Sequence, residues 1–93
     1  MNEIVYTRED IEQKVNEIIL PKLGCTNIEL KPEQKLADDL AIDSLDAIEI
    51  SIDIEKEFDI YISDDKIDAI VNATVGDIYT MVEQHLTTKN SKQ

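Results

Sequence analysis

Asp38-Asp39-Leu40-Ala41-Ile42-Asp43-Ser44-Leu45-Asp46-Ala47-Ile48-Glu49-Ile50-Ser51-Ile52-Asp53-Ile54-Glu55-Lys56-Glu57-Phe58 sets a serine at the mouth of an acidic, two-faced helix. Asp43 has the side chain to accept a hydrogen bond from a free backbone N–H one turn on, so it reads as the helix cap. Asp46 adds negative charge to the first turn, where the helix dipole favours it. Ser44 then takes the first helical position and is expected to be exposed. Ile50, Ile54 and Phe58 recur every fourth residue and stack on one face as a core stripe. Leu45, Ile48 and Ile52 make a second apolar stripe, so this helix is either deeply buried or used by something else.

Working outward, Thr7 and Asp10 form a helix-start pair, and Ile11, Val15, Ile18 and Ile19 give the first helix its buried stripe. Pro21 and Gly24 stop that helix near Leu20, with at most a kinked turn to Leu23. From Cys25 to Leu40 the period is lost, and Lys31-Pro32-Glu33 suggests an extended segment with a turn. Cys25 is expected to pack as a small apolar residue. After Phe58, Asp59-Ile60-Tyr61-Ile62 alternates like a strand but has nothing to pair with, so it reads as an extended connector. Ser63 starts a short helix that turns Ile67 and Ile70 inward. Thr74 and Asp77 cap a last helix whose stripe is Val75, Ile78, Val82 and Leu86. The polar residues from Thr87 onward are expected to fray. The predicted fold is all-α, a small four-helix bundle with three longer helices and a short third one.

Ninety-three residues allow one domain. The 21 acids and 9 bases leave a net charge of −12, and 12 of those acids lie between Asp38 and Asp68, where Lys56 and Lys66 are the only bases. Such a field repels nucleic acid and anionic lipid and steers proteins with basic patches. Asp46, Glu49, Asp53 and Glu57 line one helix face, and Leu45 and Ile52 lie close by, a rim-and-anchor composition suited to docking. The single cysteine excludes an internal disulfide and a thiolate metal cluster. With neither a basic-apolar leader nor a membrane-length apolar run, the expectation is a cytoplasmic monomer without membrane insertion.

Catalysis finds little support. His85 stands far from Ser44 in the last helix, there is no Gly-x-Ser-x-Gly elbow, and with Gly24 and Gly76 as the only glycines no calcium loop can form. No metal site and no catalytic residue is predicted.

The run Asp39 to Asp46, with Ile48-Glu49-Ile50 and Glu57-Phe58 after it, resembles the modification site of acyl carrier proteins of the stand-alone, type II kind. The resemblance spans roughly Ile11 to Leu86, within a carrier domain over residues 1–88 and a disordered polar tail over 89–93. It implies that the chain is no enzyme. Ser44, flanked by Asp43 and Leu45, would receive 4'-phosphopantetheine from coenzyme A and hold acyl intermediates as thioesters for fatty-acid or polyketide synthesis. The implied partners are a phosphopantetheinyl transferase and acyltransferases and ketosynthases with basic docking patches, meeting Asp46, Glu49, Ile52, Asp53 and Glu57. The family also implies a long first loop ending in Leu36, Asp39 and Leu40 tucked into the core. Its acyl groove between the second and third helices would be lined by Ile48, Ile50, Ile54, Ile67 and Ile70. Departures from the pattern are Pro21, Ala41 in place of a glycine, Lys56 in place of an acid and Ser63 in place of a proline. A reading from a different class is an acidic helical module that docks a basic partner and is never modified.

Overall fold

The computed structural model describes residues 6–24 and 29–90. Cys25 therefore lies outside the described residues. Four α-helices follow one another: α1 (Arg8–Ile19), α2 (Ser44–Phe58), α3 (Ile67–Val71) and α4 (Val75–Asn90). Tight 3-10 turns extend α1 through Leu20–Leu23 and lead into α3 through Asp64–Lys66. Among the described residues there is no strand, only an isolated bridge between Lys35 and Thr74.

Local chemistry accounts for the helix ends. At the start of α1 the Thr7 hydroxyl accepts from the Asp10 amide and the Asp10 carboxylate accepts from the Thr7 amide, each at 3.1 Å. Thr74 and Asp77 repeat this reciprocal arrangement at the start of α4. Pro21 lacks the N–H that an α-helix needs, so the chain tightens into a 3-10 turn and leaves through Gly24 at φ +75°. Asp59 ends α2 in the left-handed conformation, at φ +56°.

The core joins Ile11, Val15 and Ile19 of α1 to Ala47, Ile50, Ile54 and Phe58 of α2, Ile70 of α3, and Val75, Ile78, Tyr79, Val82 and Leu86 of α4. Helix α1 packs on both α2 and α4, and α2 packs on α3. Tyr6 closes one end with its ring edge-on to Phe58 at 5.0 Å. Between α1 and α4, Tyr79 donates to Asn16 Oδ1 at 2.5 Å while Arg8 lies 5.6 Å over the Tyr79 ring. Burial raises the Tyr79 pKa above its ordinary value, the Asn16 hydrogen bond and Arg8 opposing and Glu12 reinforcing it.

The long first loop is held by the start of α4. The amides of Val75 and Gly76, which have no partner inside their own helix, donate to Gln34 O at 2.8 Å and Pro32 O at 2.9 Å. Gly76 suits this close approach, because a Cβ would meet the Pro32 Cβ at 3.1 Å and its carbonyl oxygen at 3.2 Å, and the loop would have to give by a few tenths of an ångström. Leu36 N donates to Ala73 O at 3.0 Å, and the Leu36 side chain is fully buried. Its expected companions behave differently. Leu40 is only half-buried, and Asp39 is exposed, its carboxylate accepting from the Lys35 amide at 2.8 Å. A charged group gains more by capping that turn beside water than by entering an apolar core.

Two further expectations are modified. Ser63 makes no cap to the backbone; its hydroxyl donates to the Asp65 carboxylate, and Ile67 is half-buried while Ile70 is fully buried. Helix α4 continues to Asn90, past Thr87 where fraying is expected.

Candidate functional site

Ser44 is the first residue of α2 and is exposed. Two features bring it there. The loop before it doubles back, with Ile42 N donating to Leu36 O at 2.8 Å, which buries Ile42 and leaves Asp43 and Ser44 at the surface. Ala41 supports that reversal in the left-handed region, at φ +58°, a conformation that costs an L-residue energy. Asp43 then caps the helix, its carboxylate accepting from Asp46 N at 2.9 Å while its carbonyl accepts from Ala47 N at 2.9 Å.

This leaves the amides of Ser44 and Leu45 as first-turn donors with no partner among the described residues, directly beside the Ser44 hydroxyl. An anion attached to Ser44 Oγ meets open N–H groups at the positive end of a helix dipole. Asp43 and Asp46 oppose it through like charge, but Asp43 is already committed to the cap.

Along α2 the apolar stripe expected to be in use is at the surface: Leu45 is 64% exposed, Ile48 41% and Ile52 42%. Ile48 lies one turn beyond Ser44 on the same face. It opens a cleft of about 520 Å³ between α2, the connector and α3, lined also by Ser51, Ile52, Glu55, Tyr61, Ile62, Asp64 and Ile67. Of the predicted groove residues, Ile48 and Ile67 reach this cleft. Ile50 and Ile54 have no exposed surface, and Ile70 borders a separate cleft between α3 and α4.

Several contributors were not anticipated. Glu55 accepts from Ile62 N at 2.7 Å and so ties the connector to α2, and Ser51 is buried with its hydroxyl donating to Ile48 O at 2.7 Å. Tyr61, 73% exposed, extends the apolar surface beyond α2. The acid face is also less open than its spacing suggests. Lys22 Nζ lies 3.6 Å from Glu49 and 3.4 Å from Asp53, and Lys14 Nζ lies 3.4 Å from Glu57. Asp46 forms no ion pair among the described residues. Lys14 and Lys22 stand far from α2 in sequence, and only the α1–α2 packing brings them to its acids.

A family model described as a phosphopantetheine attachment site matches residues 13–82, most of the chain. The chain belongs to that family. Members of the phosphopantetheine-attachment family hold 4'-phosphopantetheine covalently and act as carriers, not catalysts. Carrier domains interact with phosphopantetheinyl transferases and with synthase enzymes. The helix start built around Ser44 fits the group by its own chemistry: an exposed hydroxyl for attachment and open amides for the phosphate. Among the described residues no helix is long and apolar enough to cross a membrane.

Proposed function

We propose that Ser44 is the attachment serine, and that the chain tethers acyl intermediates for enzymes of fatty-acid or polyketide synthesis. The observation that carries this reading is the exposed Ser44 hydroxyl at the first position of α2, beside two amides with no partner among the described residues. When attached, 4'-phosphopantetheine supplies a terminal thiol on a flexible arm, to which an acyl group is held as a thioester.

The chain's own residues present and orient. Asp43 fixes the helix start, so Ser44 Oγ is offered to a transferase on a rigid element. Such an enzyme brings its own base and metal. Asp46, Glu49, Asp53 and Glu57 supply negative charge for a basic patch, and Leu45 and Ile52 supply apolar anchors at its centre. Ile48 and Ile67 line a cleft suited to an apolar chain, while Ile50, Ile54 and Ile70 serve the core. The acidic surroundings of Ser44 favour fatty-acid or polyketide cargo over aminoacyl cargo, and Ala41 in place of glycine favours a specialised carrier.

Incubation with fluorescent coenzyme A, magnesium and a broad-specificity phosphopantetheinyl transferase is expected to label the parent protein but not Ser44→Ala. Loading the holo form from malonyl and from aminoacyl donors then separates the cargo classes. Equal labelling of Ser44→Ala overturns the assignment of the serine.

A further inference from the structure

Glu49 and Asp53, two of the acids on the docking face of α2, already hold a cation from their own chain. Lys22 Nζ lies between them, and its side chain is only 18% exposed, whereas Glu49 and Asp53 remain 53% and 44% exposed. The pair is prepared by the backbone. Lys22 stands in the 3-10 turn forced by Pro21 and closed by Gly24, so its stem is laid against the bundle and little freedom is lost in reaching α2. Lys14 makes a looser pair with Glu57, both side chains being about 40% exposed.

We infer that Lys22 is a specificity-determining residue for docking, a built-in competitor that occupies the carboxylates a partner's basic residue would take. The inference rests on the reading of α2 as a docking face. A cation brought to Glu49 or Asp53 either displaces Lys22 or sits close to its ammonium. Two like charges at that separation repel even in bulk water. The carboxylates keep half their surface open, so a partner can reach them, but it must outcompete the resident lysine. Partners with several basic groups, or with an arginine that grips a carboxylate through two N–H groups, pass this threshold more readily than those with one exposed lysine. Lys22 therefore discriminates among basic surfaces where unpaired acids would attract all of them.

The test measures KM for modification by a broad-specificity phosphopantetheinyl transferase with coenzyme A, at low salt, on full-length variants whose circular dichroism matches the parent. Lys22→Met keeps the stem and removes the charge. Lys31→Met, in the exposed first loop, makes the same change in net charge elsewhere. Exposed ion pairs are weak, so Lys22→Met is expected to lower KM by about two- to fivefold relative to Lys31→Met. Lys22→Arg, which keeps the charge and grips carboxylates at least as well, leaves KM at or above the parent value, and in a Glu49→Gln, Asp53→Asn background the Lys22→Met change becomes silent. Hexalysine titration, read from the side-chain carboxyl resonances of Glu49 and Asp53, gives a second measure that involves no enzyme. It is expected to show tighter binding to Lys22→Met than to Lys31→Met. Should Lys22→Met lose helical structure, Lys22→Gln takes its place. If the acid double variant raises KM but the two lysine variants are indistinguishable, the competition is overturned and the docking reading stands. If the acid double variant leaves KM unchanged and hexalysine shifts neither carboxylate, the docking reading fails and the inference falls with it.

Discussion

Replacing Ala41 with glycine should stabilise the protein, although glycine normally weakens a chain. At φ +58° the Ala41 methyl crowds the following carbonyl, which costs an L-residue roughly 1–2 kcal/mol and glycine nothing. Against this, glycine makes the unfolded chain freer by roughly 0.4–1 kcal/mol. Ala41 is exposed, so losing its methyl removes no buried surface, and its amide still donates to Ala37 O at 3.2 Å. The balance is a gain of about 0.5–1 kcal/mol, or a melting temperature higher by about 2 to 8 °C for a domain of this size. Thermal melts followed by circular dichroism, with urea midpoints as a second measure, are sufficient. Ala69→Gly is the control: the same chemical change at an exposed position inside α3 should cost about 1 kcal/mol. If Ala41→Gly lowers the melting temperature as Ala69→Gly does, residue 41 is not in the left-handed region. The loop reversal that presents Ser44 would then be wrongly described.

Other consequences can be checked on the same material. Because burial raises the Tyr79 pKa above 10.0, its neutral form contributes stability that is complete below that pH and is lost as pH rises through the folded-state value. The parent should therefore lose melting temperature above about pH 10 more steeply than Tyr79→Phe, and parallel curves would contradict the raised pKa. Between ~0.01 and ~0.15 M salt the screening length falls from about 30 Å to about 8 Å. With a net charge of −12 on a chain whose radius of gyration is 12.9 Å, that range spans the whole molecule, so the melting temperature should rise with salt and further with magnesium. A flat response would mean that the internal ion pairs already offset the repulsion. In an acyl-loaded sample the amides around Ile48 and Ile67 should shift relative to the unloaded holo form, and unchanged resonances there would remove the cleft from the cargo path.

What the sequence made legible follows the range of the interaction. Helix caps at Thr7, Asp43 and Thr74 act over three residues, and apolar stripes repeat within one turn, so both can be read locally. The start of α2 around Ser44 is local in the same sense. The first loop was not legible, because its order comes from α4: Pro32 packs closely over Gly76, and Gln34 meets Val75. Nothing in the spacing near Pro32 announces this. Ala41 misleads in another way, since propensity argues against the conformation that the surrounding hydrogen bonds impose. The acids of α2 were recognisable as one face, whereas their pairing with Lys14 and Lys22 depends on how α1 crosses α2. The alternation around Tyr61 pointed only to an extended connector, and the fold shows that it adjoins the cleft.

The central claim is that Ser44 carries the arm, and intact mass tests it most directly. The protein is weighed before and after incubation with coenzyme A, magnesium and a broad-specificity phosphopantetheinyl transferase, and the added mass is located by fragmentation. A gain of one phosphopantetheine group is expected on the peptide containing Ser44, and no gain in Ser44→Ala. An unmodified starting mass that stays unchanged in the parent, or an equal gain in Ser44→Ala, would contradict the claim.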